Sequence, residues 1–221
     1  MLFRSLCAKQ KAADVAERLW ERMQAPGSRV VPDATTLATF LLVLIDTNQL
    51  EHAMKILNDI EASHESHSGR THTNCYNIVL RGLAKSGRAD AAGQAGALLQ
   101  RMTQLSETGV NPSVSPDRFS YSTAMEIFPG GGGAKAEEIL LQCKALATSN
   151  NELEPDRVMY NIALSSYAME VDEARGNRDA SNSASVAQSA ERLLRVMEST
   201  PDSQPTTISY NAVLKIGRAH V

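Results

Sequence analysis

One apolar pattern returns five times along this 221-residue chain: an alanine, two residues, two bulky apolar residues, two more residues, and a last apolar one. The copies are Ala16, Leu19, Trp20, Met23; Ala53, Ile56, Leu57, Ile60; Ala95, Leu98, Leu99, Met102; Ala136, Ile139, Leu140, Cys143; and Ala190, Leu193, Leu194, Met197. Positions i, i+3, i+4 and i+7 share one face of an α-helix, and a face this apolar must be buried against a neighbour. The copies start 37, 42, 41 and 54 residues apart. A fixed pattern at such a period is the mark of a stacked array, in which each unit buries its face against the next.

A second pattern alternates with the first. Tyr76, Tyr121, Tyr160 and Tyr210 are each followed by a small polar residue, Asn77, Ser122, Asn161 and Asn211, and then by an apolar residue at Leu80, Met125, Leu164 and Leu214. A weaker copy is Leu37, Ala38 and Leu41. Pro32-Asp33, Pro116-Asp117 and Pro155-Asp156 precede three of these five stretches. Proline ends a helix, and aspartate caps the next by accepting a backbone N–H bond at its positive end. Each unit therefore reads as a helix pair.

First helices are expected near 34–47, 72–86, 117–128, 156–170 and 207–215, and second helices near 12–25, 49–62, 88–107, 134–148 and 185–199. The polar insertions Ser63–Arg70, Thr103–Ser115 and Val171–Ser185 read as exposed, partly disordered loops, because such segments bury too little surface to fold.

Composition narrows the class further. Aromatic residues make up only 5%, strand-like alternation is absent, and no run approaches the length of a membrane span. The fold class is all-α. Cys7, Cys75 and Cys143 are odd in number and widely spaced, which argues against a disulfide framework. Cys143 ends its apolar face and reads as a small hydrophobe.

The helix pairs, the Tyr-Asn starts, the Lys85-Ser86-Gly87-Arg88 turn and the Pro-Asp endings resemble the pentatricopeptide repeat family over about residues 12–215. The resemblance implies an α-solenoid, wound as a right-handed superhelix of tandem two-helix repeats. It divides the chain into an N-terminal segment 1–11, about five repeats over 12–215 with the first and last incomplete, and a tail 216–221. That tail reads as the in-frame translation of a common sequencing adapter and is expected to be non-native.

What the resemblance implies in function is sequence-selective binding of single-stranded RNA, roughly one base per repeat. In that family the polar residue after the Tyr meets a base edge, the last residue of the same unit supports it, and a residue near the unit's start stacks on the base. The pairs here are Ala38 with His72, Asn77 with Asp117, Ser122 with Asp156, and Asn161 with Thr206. Thr35, Asn74, Phe119, Val158 and Ile208 take the stacking place, of which the first two are polar. By the family's pairing habits, Asn77 with Asp117 favours uracil and Ser122 with Asp156 guanine. Asn and Ser near a helix start also serve plain capping, and the tyrosines read as packing residues whose hydroxyls find partners between helices.

Other chemistry is sparse. The net charge is −3 and the pI near 6.0, which is unlike the basic stripe of most nucleic-acid binders. Arg81, Lys85, Arg88, Arg118 and Arg157 near repeat starts and turns are the candidate phosphate contacts. His64, His67 and His72 lie in a polar stretch without a Cys or carboxylate at ligand spacing, so no metal is expected. Gly130–Gly133 before Ala134-Lys135-Ala136 lacks the Lys-Ser/Thr of a phosphate loop and reads as a flexible turn between helices. No catalytic constellation, cofactor or enzyme activity is expected. Partners are single-stranded RNA and proteins of an RNA-processing complex, with no membrane. Mitochondrion or chloroplast follows from the family, and the acid-free Met1–Ala13 with Arg4, Lys9 and Lys11 agrees with an organellar address. The alternatives are a protein-binding scaffold and the RNA-binding arm of a larger enzyme.

Overall fold

The computed structural model describes residues 2–25, 28–62, 71–128, 132–148, 151–176 and 183–217. Among them there are ten α-helices, two short 3-10 turns and no strand. The helices are α1 (Leu2–Gln24), α2 (Ala34–Asp46), α3 (Leu50–Ala62), α4 (Thr73–Ser86), α5 (Ala91–Glu107), α6 (Arg118–Met125), α7 (Gly133–Ala147), α8 (Arg157–Gly176), α9 (Ser183–Ser199) and α10 (Thr207–Gly217). The chain divides into two compact units, Met1–Pro116 and Asp117–Val221.

In the first unit α2 packs on α1, α3 and α4, and α4 also packs on α3 and α5. In the second, α8 packs on α6, α7, α9 and α10, while α7 also packs on α6 and α9 on α10. Within each unit the first helices lie side by side and the second helices fit between them, the neighbour-to-neighbour packing of a helical array. The repeated faces account for it. Ala53, Ala95, Ala136 and Ala190 are buried, as are Trp20, Leu57, Leu99, Leu140 and Leu194. Trp20 of α1 stacks on Phe40 of α2 with ring centroids 4.8 Å apart.

Capping follows the Pro-Asp pattern. Asp33 Oδ1 accepts from the Thr36 amide at 2.7 Å, and the Thr36 side-chain and backbone hydrogen bonds hold its carboxyl below the usual carboxylate range. Asp117 and Ser120 form a reciprocal capping box at α6. Asp156 Oδ1 accepts from the amides of Val158 and Met159 at 3.0 and 3.1 Å.

A ladder of polar ties joins the starts of successive first helices, one repeat apart. The Cys75 thiol donates to the Ala34 carbonyl at 3.6 Å. Thr73 Oγ1 donates to the Ser115 carbonyl at 2.8 Å, and Asn111 Nδ2 to Thr71 Oγ1 at 2.8 Å. In the second unit Ser203 Oγ donates to the Pro155 carbonyl at 3.0 Å.

This ladder corrects two expected loops. Thr103–Ser115 is a loop only from Thr108 on, and exposed only in part: α5 continues to Glu107, and Leu105, Asn111 and Val114 are buried. The Asn111 amide, bonded to Thr71, satisfies the polar side chain that this segment buries. Val171–Ser185 likewise begins as helix, because α8 runs to Gly176 with Val171 buried, and α9 starts at Ser183. Ser63–Arg70 lies outside the described residues. Two further boundaries differ: α1 starts at Leu2, ahead of position 12, and α6 ends at Met125. Phe128, which precedes Pro129, is disfavoured in helical conformation. Of the glycine run, Gly132 caps α7 and Gly133 is its first residue, whereas Gly130 and Gly131 lie outside the described residues. A Cβ on Gly133 would collide with the Tyr167 ring, so α7 and α8 meet here without room for a side chain. In the segment set aside as a tail, Ile216 is buried on α10.

Cys143 is buried; its thiol donates to the Leu153 carbonyl at 3.1 Å and is pushed up to about 12 by burial. It packs as a small apolar residue and is not poised as a nucleophile.

Candidate nucleic-acid interface

Each first helix places the five sequence-derived positions in the same register. The second residue of the helix carries the stacking candidate: Thr35 on α2, Asn74 on α4, Phe119 on α6, Val158 on α8 and Ile208 on α10. All five are exposed. Phe119, Val158 and Ile208 are 51%, 58% and 63% exposed, although their residue types favour burial. They stand at one register on α6, α8 and α10, which pack side by side within the second unit. Arg118 and Arg157, the residues just before two of them, are exposed as well.

Two residues after the stacking position the chain turns inward. Tyr76, Tyr121 and Tyr160 are buried, as expected of packing residues. Tyr76 Oη donates to Glu61 of the preceding second helix, and Tyr210 Oη donates to Glu198 at 3.1 Å. Tyr160 Oη is buried without a hydrogen-bond partner among the described residues.

The residue after each tyrosine, assigned by resemblance to the base edge, is less available than the stacking position. Ala38 and Asn77 are buried, with Asn77 only 6% exposed, whereas Ser122 and Asn161 are half-buried and Asn211 is exposed. Asn161 Oδ1 accepts from Ser209 Oγ of α10 at 2.6 Å. Its carbonyl oxygen is thereby engaged inside the fold, while its amide nitrogen makes no hydrogen bond among the described residues. The Ser122 hydroxyl donates to the Phe119 carbonyl at 3.1 Å and keeps its lone pairs for a donor.

The supporting residues are helix caps first. Asp117 caps α6 and Asp156 caps α8, each through Oδ1, while His72 is the cap residue of α4 without a side-chain bond. Thr206 precedes α10; its amide donates to Ser209 Oγ at 3.0 Å, and its own Oγ1 is buried without a partner among the described residues. The tie from Asn161 to the next repeat thus runs to Ser209, a residue the pairing scheme passed over. Its signal was present as the hydroxyl recurring three residues into the capping motif, Thr36, Ser120 and Ser209.

The candidate cations divide. Arg88 is held by Glu51 and by both oxygens of Asp90, with its pKa raised chiefly by those hydrogen bonds. Arg81, Lys85, Arg118 and Arg157 are exposed and carry no ion pair among the described residues. His72 is exposed, and His64 and His67 lie outside the described residues. Among the described residues no group of His, Cys, Asp and Glu is arranged to hold a metal, and no helix is long and apolar enough to cross a membrane. No protein-family model and no curated protein matches the chain, so the case for a function rests on these residues.

Proposed function

We propose that this chain binds single-stranded RNA along the first helices of its second unit, as a member of the pentatricopeptide type. The observation that carries this is the row of Phe119, Val158 and Ile208, three exposed apolar side chains at one register of packed helices. Such a row offers stacking platforms for successive unpaired bases, each worth about 1–3 kcal/mol. Arg118 and Arg157 supply positive charge beside two of the platforms, where a phosphate would lie. The amide nitrogen of Asn161 and the hydroxyl of Ser122 supply edge contacts, a donor and an acceptor respectively. An organellar site of action and a role in RNA processing, stability, editing or translation follow from the resemblance alone.

The experiment is selection from a random single-stranded RNA pool with DNA and duplex RNA as competitors. Enrichment of a short motif that Asn161→Ala and Ser122→Ala each alter at one position supports modular reading. Binding that is indifferent to both substitutions refutes it. A protein-binding scaffold is the second reading, favoured by the net charge of −3 and by the buried Ala38 and Asn77 of the first unit. It predicts no enrichment from a folded chain.

A further inference from the structure

A relay of hydrogen bonds holds one of the base-edge residues from behind. Ser209 of α10 is fully buried, and its hydroxyl is used in both directions. The oxygen accepts from the Thr206 amide at 3.0 Å, and the proton goes to Asn161 Oδ1 of α8 at 2.6 Å. A serine hydroxyl has a single proton to give. Were the Asn161 amide reversed, its NH2 and the Thr206 N–H would converge on Ser209 Oγ, and the serine proton would be buried without an acceptor, a costly orphan. The amide is therefore held with its oxygen engaged by α10. Its nitrogen is the free end, with no hydrogen bond among the described residues, on a side chain that is half-buried and within reach of a ligand.

The residues at the helix starts explain why the relay forms here. On α6 the hydroxyl at the place of Ser209 is Ser120, which donates to its cap carboxylate, Asp117 Oδ1, at 2.8 Å. On α2 Thr36 Oγ1 does the same with Asp33 at 2.7 Å. Thr206 stands where those aspartates stand and has no carboxylate to take the proton, so Ser209 donates across to α8. On α8 itself the place is held by Met159, which has no such proton. Ser122 of the preceding repeat is accordingly not held in this way, and its hydroxyl turns back to the Phe119 carbonyl at 3.1 Å.

An Asn side chain free at both ends pairs bidentately with adenine, donating to a ring nitrogen and accepting from the exocyclic amino group. With Oδ1 taken by Ser209, the second of these bonds is lost, and the amide offers a donor alone. Its complement is a carbonyl oxygen, which uracil, cytosine and guanine carry and adenine does not. Given single-stranded RNA along the second unit, on which this assignment rests, we propose that Ser209 is a positioning residue. It fixes the polarity of the Asn161 amide, so that this repeat takes a base with a carbonyl oxygen and excludes adenine.

The test is fluorescence anisotropy of the whole chain at one salt concentration, with four RNAs that differ only in the base at the position that Asn161→Ala alters in selection. The parent is expected to favour uracil over adenine about tenfold. Ser209→Ala frees Oδ1 and lowers that ratio to about threefold or less, with the adenine RNA bound more tightly than by the parent. A merely structural loss would weaken all four RNAs alike. Because Ser209→Ala also removes the acceptor of the Thr206 amide, a second variant leaves Ser209 in place. Asn161→Asp gives Ser209 one oxygen and offers the base the other as an acceptor, which reverses the preference to adenine over uracil. A parent that does not favour uracil over adenine, or a ratio that Asn161→Asp or a folded Ser209→Ala leaves unmoved, overturns the role of Ser209 and leaves the RNA reading standing. A parent that enriches no motif, or one that Asn161→Ala leaves unaltered, overturns both.

Discussion

The first helices of the two units are alike inside and unlike outside. Tyr76 and Tyr160 are buried at one register, and Leu80 and Leu164 at another. Yet the exposed second position holds Thr35 and Asn74 in the first unit and Phe119, Val158 and Ile208 in the second. Burial is set by the stack and leaves the outer position free. Where that freedom is filled with large apolar side chains, the proposed RNA reading uses them as faces on which bases stack. In the proposed reading the first unit serves as scaffold, with Asn77 buried, and the second carries the stacking platforms.

The largest expected effects test the likeness inside. Leu57→Ala in α3 and Leu140→Ala in α7 occupy the same place on the repeated face, both buried. Each should cost about 2–5 kcal/mol through the cavity left behind, read by urea denaturation. Unequal costs outside that range would mean that the two units do not share one packing rule.

The next effect separates the units. Gly133→Ala presses a Cβ into the rigid Tyr167 ring and should cost about 1–3 kcal/mol. Gly82→Ala in the first unit meets the tips of Ile45 and Leu50, which move aside, and the gain in helix propensity offsets much of the crowding. Thermal melting of the two variants should show a drop for Gly133→Ala only.

Phe119→Ala should weaken RNA binding by about 1–3 kcal/mol, and Asn74→Ala should leave it unchanged, both read by fluorescence anisotropy at fixed salt. The smallest effect is a pH dependence in the second unit. Tyr167 is raised to about 12, first by burial and then by its hydrogen bond to Glu137 at 2.6 Å. A folded-state value above the ordinary 10 contributes stability that is fully present below pH 10 and lost as pH rises toward about 12. Denaturation midpoints at pH 9 and pH 11 should differ more in the parent chain than in Tyr167→Phe.

Most of the fold was legible because the repeated face and the Pro-Asp caps act locally. α2 was expected over 34–47 and spans Ala34–Asp46; α4 was expected over 72–86 and spans Thr73–Ser86. The misjudged segments are those held by contacts a full repeat away. Nothing in Asn111 itself announces its bond to Thr71, 40 residues earlier, so composition made Thr103–Ser115 look like a loop. At the candidate interface, register alone placed Phe119, Val158 and Ile208 together. It did not show that Asn161 is tied to Ser209, because that bond depends on how the next helix docks.

The most direct test of the central claim is the affinity of the full chain for single-stranded RNA in two multiple variants, at one salt concentration. The account predicts that Phe119→Ala/Val158→Ala/Ile208→Ala abolishes measurable binding while Thr35→Ala/Asn74→Ala retains the parent affinity. Equal loss in both variants, no loss in either, or no binding by the parent chain would contradict it.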